Sequence, residues 1–138
     1  ADGAPDGVRR DVLHRWFGQS YFDLVFEAAR EADPEAELVL NEALLVHRGQ
    51  QRQRDAFLAL AGRLVERGIP VDAAGVQSHL YWDDNQPMGD LDPAGTVALA
   101  RSLGDLGLSV LLTELDVFEQ RLPDDGRSVD ERVAEAYE

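Results

Sequence analysis

The chain has 138 residues, enough for one domain with one sizeable core. Its 27 acidic residues against 13 basic ones, all of them Arg, leave a formal charge of −14, which argues against nucleic acid or an anionic membrane as partner because like charges repel. With no Cys, a disulfide framework and a Cys-rich zinc site are excluded, and no apolar run approaches the roughly 18 residues of a membrane span.

Ala1 to Gly7 reads as loop, from its Gly, Pro and Asp, and lacks the basic and apolar regions of a signal peptide. Val12, Leu13, Trp16 and Phe17 then recur at helical spacing up to Gly18. A second helix is expected from Ser20, with Tyr21, Leu24, Val25 and Ala28 on one face, ending before Pro34. Leu38 to Leu40 is a short apolar run that ends in Asn41 and Glu42. The next helix, Gln50 to Arg67, carries Phe57, Leu60, Ala61, Leu64 and Val65 on one stripe and is closed by Gly68 and Pro70.

The same order repeats. Val71 to Gln77 is apolar and small, reads as a strand and leads into Ser78 and His79. A polar loop, Tyr81 to Leu91, follows. Asp92-Pro93 is an N-cap with proline at the first helical position, opening a helix with Val97, Ala100, Leu103 and Leu106 that Gly107 ends. Leu108 to Leu112 is continuously apolar and leads into Thr113-Glu114-Leu115-Asp116, and a last helix is expected from Ser128. Strands starting near Leu38, Ala73 and Ser109 with one long helix in each gap have the rhythm of a parallel sheet. The fold class is therefore α/β, and continuous rather than alternating apolar strands predict burial on both faces.

Each strand ends in chemically capable residues: Asn41 and Glu42, then Gln77 and His79, then Glu114 and Asp116. Parallel α/β folds gather ligands and catalytic groups at the carboxyl ends of their strands, so these six side chains should converge on one rim. Glu114 is read either as a nucleophile or general base or as a salt-bridged rim carboxylate. His79 could be structural, yet its neighbouring strand end brings it within reach of Glu114 and Asp116, where it would keep Glu114 ionised and oriented. Gln77 offers a donor and an acceptor for sugar hydroxyls, or is a satisfied buried amide. Tyr81 and Trp82 could stack on a sugar ring or simply pack. The Asp83, Asp84, Asn85 and Asp90 cluster lacks EF-hand spacing and reads as a solvated loop. No phosphate-binding glycine loop, Gly-x-Ser-x-Gly elbow or HExxH is present.

Val76-Gln77-Ser78-His79-Leu80, followed by Leu112-Thr113-Glu114-Leu115-Asp116-Val117, resembles glycoside hydrolase family 10, the endo-1,4-β-xylanases. Tyr21 to Pro34 is similar to the helix before that family's fifth barrel strand, and Gly68 to Asp72 to the approach to its sixth. The resemblance implies a (β/α)₈ TIM barrel, of which this chain supplies the region of the fifth to seventh strands. A complete barrel takes about 250 residues, so residues 1–138 are expected to be a catalytic domain incomplete at both ends, with the acid/base residue outside the chain. The family's activity is hydrolysis of the β-1,4-xylosidic backbone of xylan by double displacement.

By position, Glu114 matches the nucleophile, His79 and Asp116 the residues that hold it, and Asn41 and Gln77 the contacts to the sugar beside the cleaved bond; Trp82 is expected to bind substrate too. Where the family has Asn-Asp-Tyr-Asn, this chain reads Asn41-Glu42-Ala43-Leu44, so a substrate-contacting tyrosine is replaced by Ala43. Asn41-Glu42-Ala43 also imitates the missing acid/base motif, one strand too late. No cofactor and no metal are implied; xylan or a xylo-oligosaccharide is the expected partner, with no nucleic acid and no membrane. Open barrel edges would favour self-association. An extracellular location is expected from the resemblance, and the isolated chain is expected to be nearly inactive. The alternatives are a non-catalytic xylan-binding half-barrel and a small flavodoxin-like binding module.

Overall fold

A computed structural model describes residues 8–80, 91–117, 122 and 124–137. In chain order it contains α1 (Val12–Phe17), a single 3₁₀ turn (Gly18–Ser20), α2 (Tyr21–Ala32), β1 (Val39–Glu42), α3 (Gln51–Glu66), β2 (Ala73–Leu80), α4 (Pro93–Asp105), β3 (Ser109–Val117) and α5 (Val129–Ala136). The three strands form one parallel sheet in the order β1-β2-β3, with Val39 beside Ala73 and Ala73 beside Ser109. The expected α/β class and parallel strand order are thus present, with β2 running three residues beyond Gln77 to Leu80.

Local chemistry sets the helix ends. The Asp92 side chain accepts from the Gly95 N–H at 2.9 Å and caps α4, with Pro93 as its first residue. Ser128 and Glu131 form a reciprocal capping box that starts α5. Helices α3 and α4 close alike: Gly68 and Gly107 adopt φ of 73° and 85°, and the Ile69 and Leu108 N–H groups reach back to the carbonyls of Leu64 and Leu103.

The core lies between the sheet and α3 and α4. Phe57, Leu60, Ala61 and Leu64 of α3 pack with Leu40, Ala74, Val76, Leu99 and Leu103. Burial of each large side chain among them contributes roughly 1.5–3 kcal/mol.

Two expectations need correction. On α2 the stripe Leu24 and Val25 faces solvent, while Phe26 is buried and Tyr21 and Phe22 pack against the core. Burial of the aromatic face favours that rotation, and two ion pairs accompany it: Arg30 bonds Asp72 just before β2, and Asp23 bonds Arg67 at the end of α3. Asp72 also accepts from the Leu38 N–H at 2.7 Å, and that bond, with the Arg30 guanidinium, holds its carboxyl below the usual carboxylate range. The second correction concerns β3. Burial on both faces holds for β2, where Ala73 to Val76 are buried, but Leu112 and Leu115 of β3 are 63% and 52% exposed. Strand β3 lies at the edge of the described sheet, and α4 covers only part of its outer face.

Candidate active site

The carboxyl ends of all three strands open onto one rim. There His79 Nδ1 lies 2.9 Å from Asp116 Oδ1, and Nε2 lies 3.2 Å from Glu114 Oε2. Both partners are carboxylates, which accept, so a ring nitrogen bonds each only when it carries hydrogen, and protonation of the ring completes both bonds. The other Glu114 oxygen, Oε1, accepts from Asn41 Nδ2 at 2.8 Å, across the width of the sheet. Asn41 Oδ1 in turn accepts from the Thr113 hydroxyl at 2.8 Å. Glu114 is thereby gripped from β1 and β2 while its own side chain stays 44% exposed, open to a ligand above the rim.

A backbone irregularity makes this convergence. Gln77 pairs with Thr113 but His79 pairs with Asp116, so Ser78 faces two residues, Glu114 and Leu115. This is a β-bulge on β3, and Glu114 sits in it at φ 56°, a left-handed conformation that costs a non-glycine residue about 1–3 kcal/mol. Strict alternation would put Thr113 on one face and Glu114 with Asp116 on the other. With the bulge, all three make bonds on the inner side of the sheet.

The hydrogen bond that His79 donates to Asp116 is the largest influence on the ring and raises its pKa above the ordinary 6.5; partial burial opposes this, and the Glu114 carboxylate adds to the rise. A raised histidine pKa means that the bridge contributes stability fully below pH 6.5 and loses it as the pH climbs through the folded value. An NMR titration of the His79 ring should therefore give a midpoint above 6.5. Asp116→Asn should lower that midpoint more than Glu114→Gln does, and the reverse order would contradict the geometry.

Of the six residues expected to carry the site, Glu114, His79, Asp116 and Asn41 form one hydrogen-bonded chain. Gln77 lies beside them, lining with Asn41, Ala43, Arg9 and Tyr21 a cavity of about 460 Å³ at the ends of β1 and β2. Trp82, like Tyr81 and the Asp83, Asp84, Asn85 and Asp90 cluster, lies outside the described residues. Glu42 also lines this cavity and is bonded towards α3, its carboxylate accepting from Ala43 N–H at 2.9 Å and Gln53 Nε2 at 3.3 Å. Among the described residues no group of three or more His, Asp or Glu side chains is placed to hold a metal ion.

Sequence reasoning missed Thr113 and Gly75. A Cβ on Gly75 would stand 2.5 Å from Asn41 Oδ1, so only glycine leaves the amide its place. An isolated glycine in an apolar strand is a signal of such close approach and could have been read as one.

A parallel sheet with its polar chemistry gathered at the strands' carboxyl ends defines the class as α/β, a feature common to open doubly wound sheets and (β/α)₈ barrels. The chain belongs to glycosyl hydrolase family 10, whose model matches residues 1–138. It is 35% identical over 127 residues to endo-1,4-β-xylanase A of Cellvibrio japonicus, an alignment covering 91% of this chain and 20% of that protein. The solved structure of a thermostable mutant xylanase from the same organism superposes with a TM-score of 0.70 at 33% identity, covering 89% of this chain and 34% of that one. A mutant of an intracellular xylanase from Thermoanaerobacterium saccharolyticum, in complex with xylotriose, gives 0.69 at 26% identity, over 83% and 33%. The chain spans 20–25% of the length of the first curated relatives it matches, and its sheet corresponds to one part of the barrel of these structures.

Proposed function

We propose that residues 1–138 are a portion of the catalytic domain of a retaining endo-1,4-β-xylanase, with Glu114 as nucleophile. The observation that carries this reading is the grip on Glu114: one oxygen accepts from Asn41 and the other from His79, whose far nitrogen is bonded to Asp116. A carboxylate nucleophile must be ionised, fixed in one rotamer and reachable. The imidazolium favours the ionised form, the two donors restrict the rotamer, and each oxygen keeps a lone pair. Family membership and a xylotriose-bound relative support xylan or a xylo-oligosaccharide as substrate.

In this mechanism a Glu114 oxygen attacks the anomeric carbon of a xylose unit as the glycosidic oxygen departs, giving a covalent glycosyl-enzyme. A second carboxyl, about 5–5.5 Å away, protonates the leaving oxygen and then activates the water that releases the sugar. That acid/base group is assigned outside residues 1–138, because Glu42, the nearest motif candidate, is held against α3. Asn41, Gln77 and Trp82 are assigned to sugar contacts, His79 and Asp116 to holding the nucleophile. Family membership does not by itself set a cellular location, since one of the solved relatives is an intracellular xylanase.

The test is intact mass of the full polypeptide before and after a 2-fluoro xylobioside with a dinitrophenolate leaving group. The fluorine slows both steps, the leaving group restores the first without needing an acid, and the intermediate accumulates. A fluoroxylobiosyl adduct mapped to Glu114 is expected. A folded protein that hydrolyses xylan but is labelled elsewhere overturns Glu114 as nucleophile. A folded protein that binds xylo-oligosaccharide and is neither labelled nor active favours the binding-only reading.

A further inference from the structure

We propose that Thr113 is a positioning residue for the nucleophile, acting through Asn41 in a space that Gly75 keeps open; the inference rests on the reading of Glu114 above. Asn41 has a short side chain at the end of an edge strand of the described sheet and is classed as exposed, so packing alone does not fix its amide. Its two polar atoms do. The nitrogen must face Glu114, because two acceptors repel, and the oxygen then faces the Thr113 hydroxyl, which donates to it at 2.8 Å.

The result is a directed chain from O–H to C=O and from N–H to carboxylate, in which each bond polarises the next. Gly75 sits beneath it: a methyl there would stand 2.5 Å from Asn41 Oδ1 and 3.0 Å from Cγ, so the amide would have to turn away and leave its two bonds. Thr113 can take part only because the β3 bulge places it on the same face as its neighbour Glu114. The chain therefore couples three strands: Gly75 from β2 gives room, Asn41 from β1 spans it, and Thr113 and Glu114 from β3 bracket the amide.

The experiment measures the labelling rate of the full polypeptide by the 2-fluoro dinitrophenyl xylobioside, together with the Asn41 side-chain amide resonances. Thr113→Val keeps the shape and β-branching and removes the hydroxyl. It should slow labelling by about threefold to tenfold, the range that one neutral hydrogen bond carries, with little change in the substrate concentration for half-saturation. It should also move the Asn41 amide signals, and Thr113→Ser should restore both.

In an Asn41→Ala background Thr113→Val should add nothing, which separates action through Asn41 from a general loss of packing. Gly75→Ala should reproduce the slow labelling and the displaced amide signals by a second route. The proposal is overturned if Thr113→Val labels at the wild-type rate, if Thr113→Ser is equally slow, if the effects of Thr113→Val and Asn41→Ala simply add, or if Gly75→Ala is indistinguishable from wild type. Should the wild type take no label, the nucleophile reading fails instead, and unmoved Asn41 signals in Thr113→Val would still overturn the positioning role.

Discussion

Glu114→Gln should reduce hydrolysis of xylan by the full polypeptide by about 10⁴-fold or more, the scale on which removing a catalytic nucleophile acts, without unfolding it. The substitution is isosteric, and the amide oxygen can still accept from Asn41 or from His79, so the bonds that organise the rim survive in part. What is lost is the negative charge that attacks carbon in the proposed mechanism. Glu114→Ala supplies the complementary result: with a dinitrophenyl xyloside, added azide should enter the vacated space and attack as the phenolate departs, releasing the α-glycosyl azide. The intact enzyme should release β-configured sugar, the retention that double displacement requires, whereas an enzyme that uses Glu114 only as a base for water would release the inverted α product. Activity of Glu114→Gln within tenfold of wild type would remove Glu114 from the mechanism.

The elements governed by spacing and capping were legible in the amino-acid sequence. The strand starts near Ala73 and Ser109, the buried stripe of α3 and the Asp92-Pro93 helix start all follow from local rules that the tertiary structure leaves intact. The meeting of Glu114, His79 and Asn41 was also accessible, because parallel strands bring their carboxyl ends together whatever the loops do.

Three features were hidden, each because a long-range contact overrides a local one. The face that α2 buries carries Phe26, Tyr21 and Phe22, with Arg30 and Asp23 reaching residues more than 40 positions away, so the stripe of Leu24 and Val25 misled. The bulge on β3 breaks the period of two on which any reading of strand faces rests, and it moved Thr113 beside Glu114. Arg54, on a helix with an arginine-rich surface, gives no local sign that it is buried.

The Arg54→Ala substitution should be the most costly single truncation outside the apolar core, at about 3–5 kcal/mol, the loss typical of breaking a buried ion pair from one side. The Arg54 side chain is only 4% exposed and bonds Asp92 Oδ2 at 2.7 Å, while its guanidinium also donates to the carbonyls of Leu45 and His47 and to the Gln51 side chain. Removing it strands four acceptors at once. Asp92 caps α4, and its own N–H donates to the Val46 carbonyl at 2.8 Å, so the cation reinforces a junction between the segment after β1 and the start of α4 that backbone bonds also make. Asp92 is 27% exposed, so water can partly replace the ion pair and the lower end of the range is expected. Arg54→Lys should recover less than half of the loss, because an ammonium cannot fork between two carbonyls on one side and a carboxylate on the other. Gly95 leaves space for this pair: a Cβ there would stand 2.8 Å from Arg54 Nη2 and collide with Asp92. Denaturant unfolding of the full polypeptide reads the difference directly. A loss under about 1 kcal/mol, the worth of an exposed pair, would mean that the buried guanidinium adds little to the backbone bond between Asp92 and Val46.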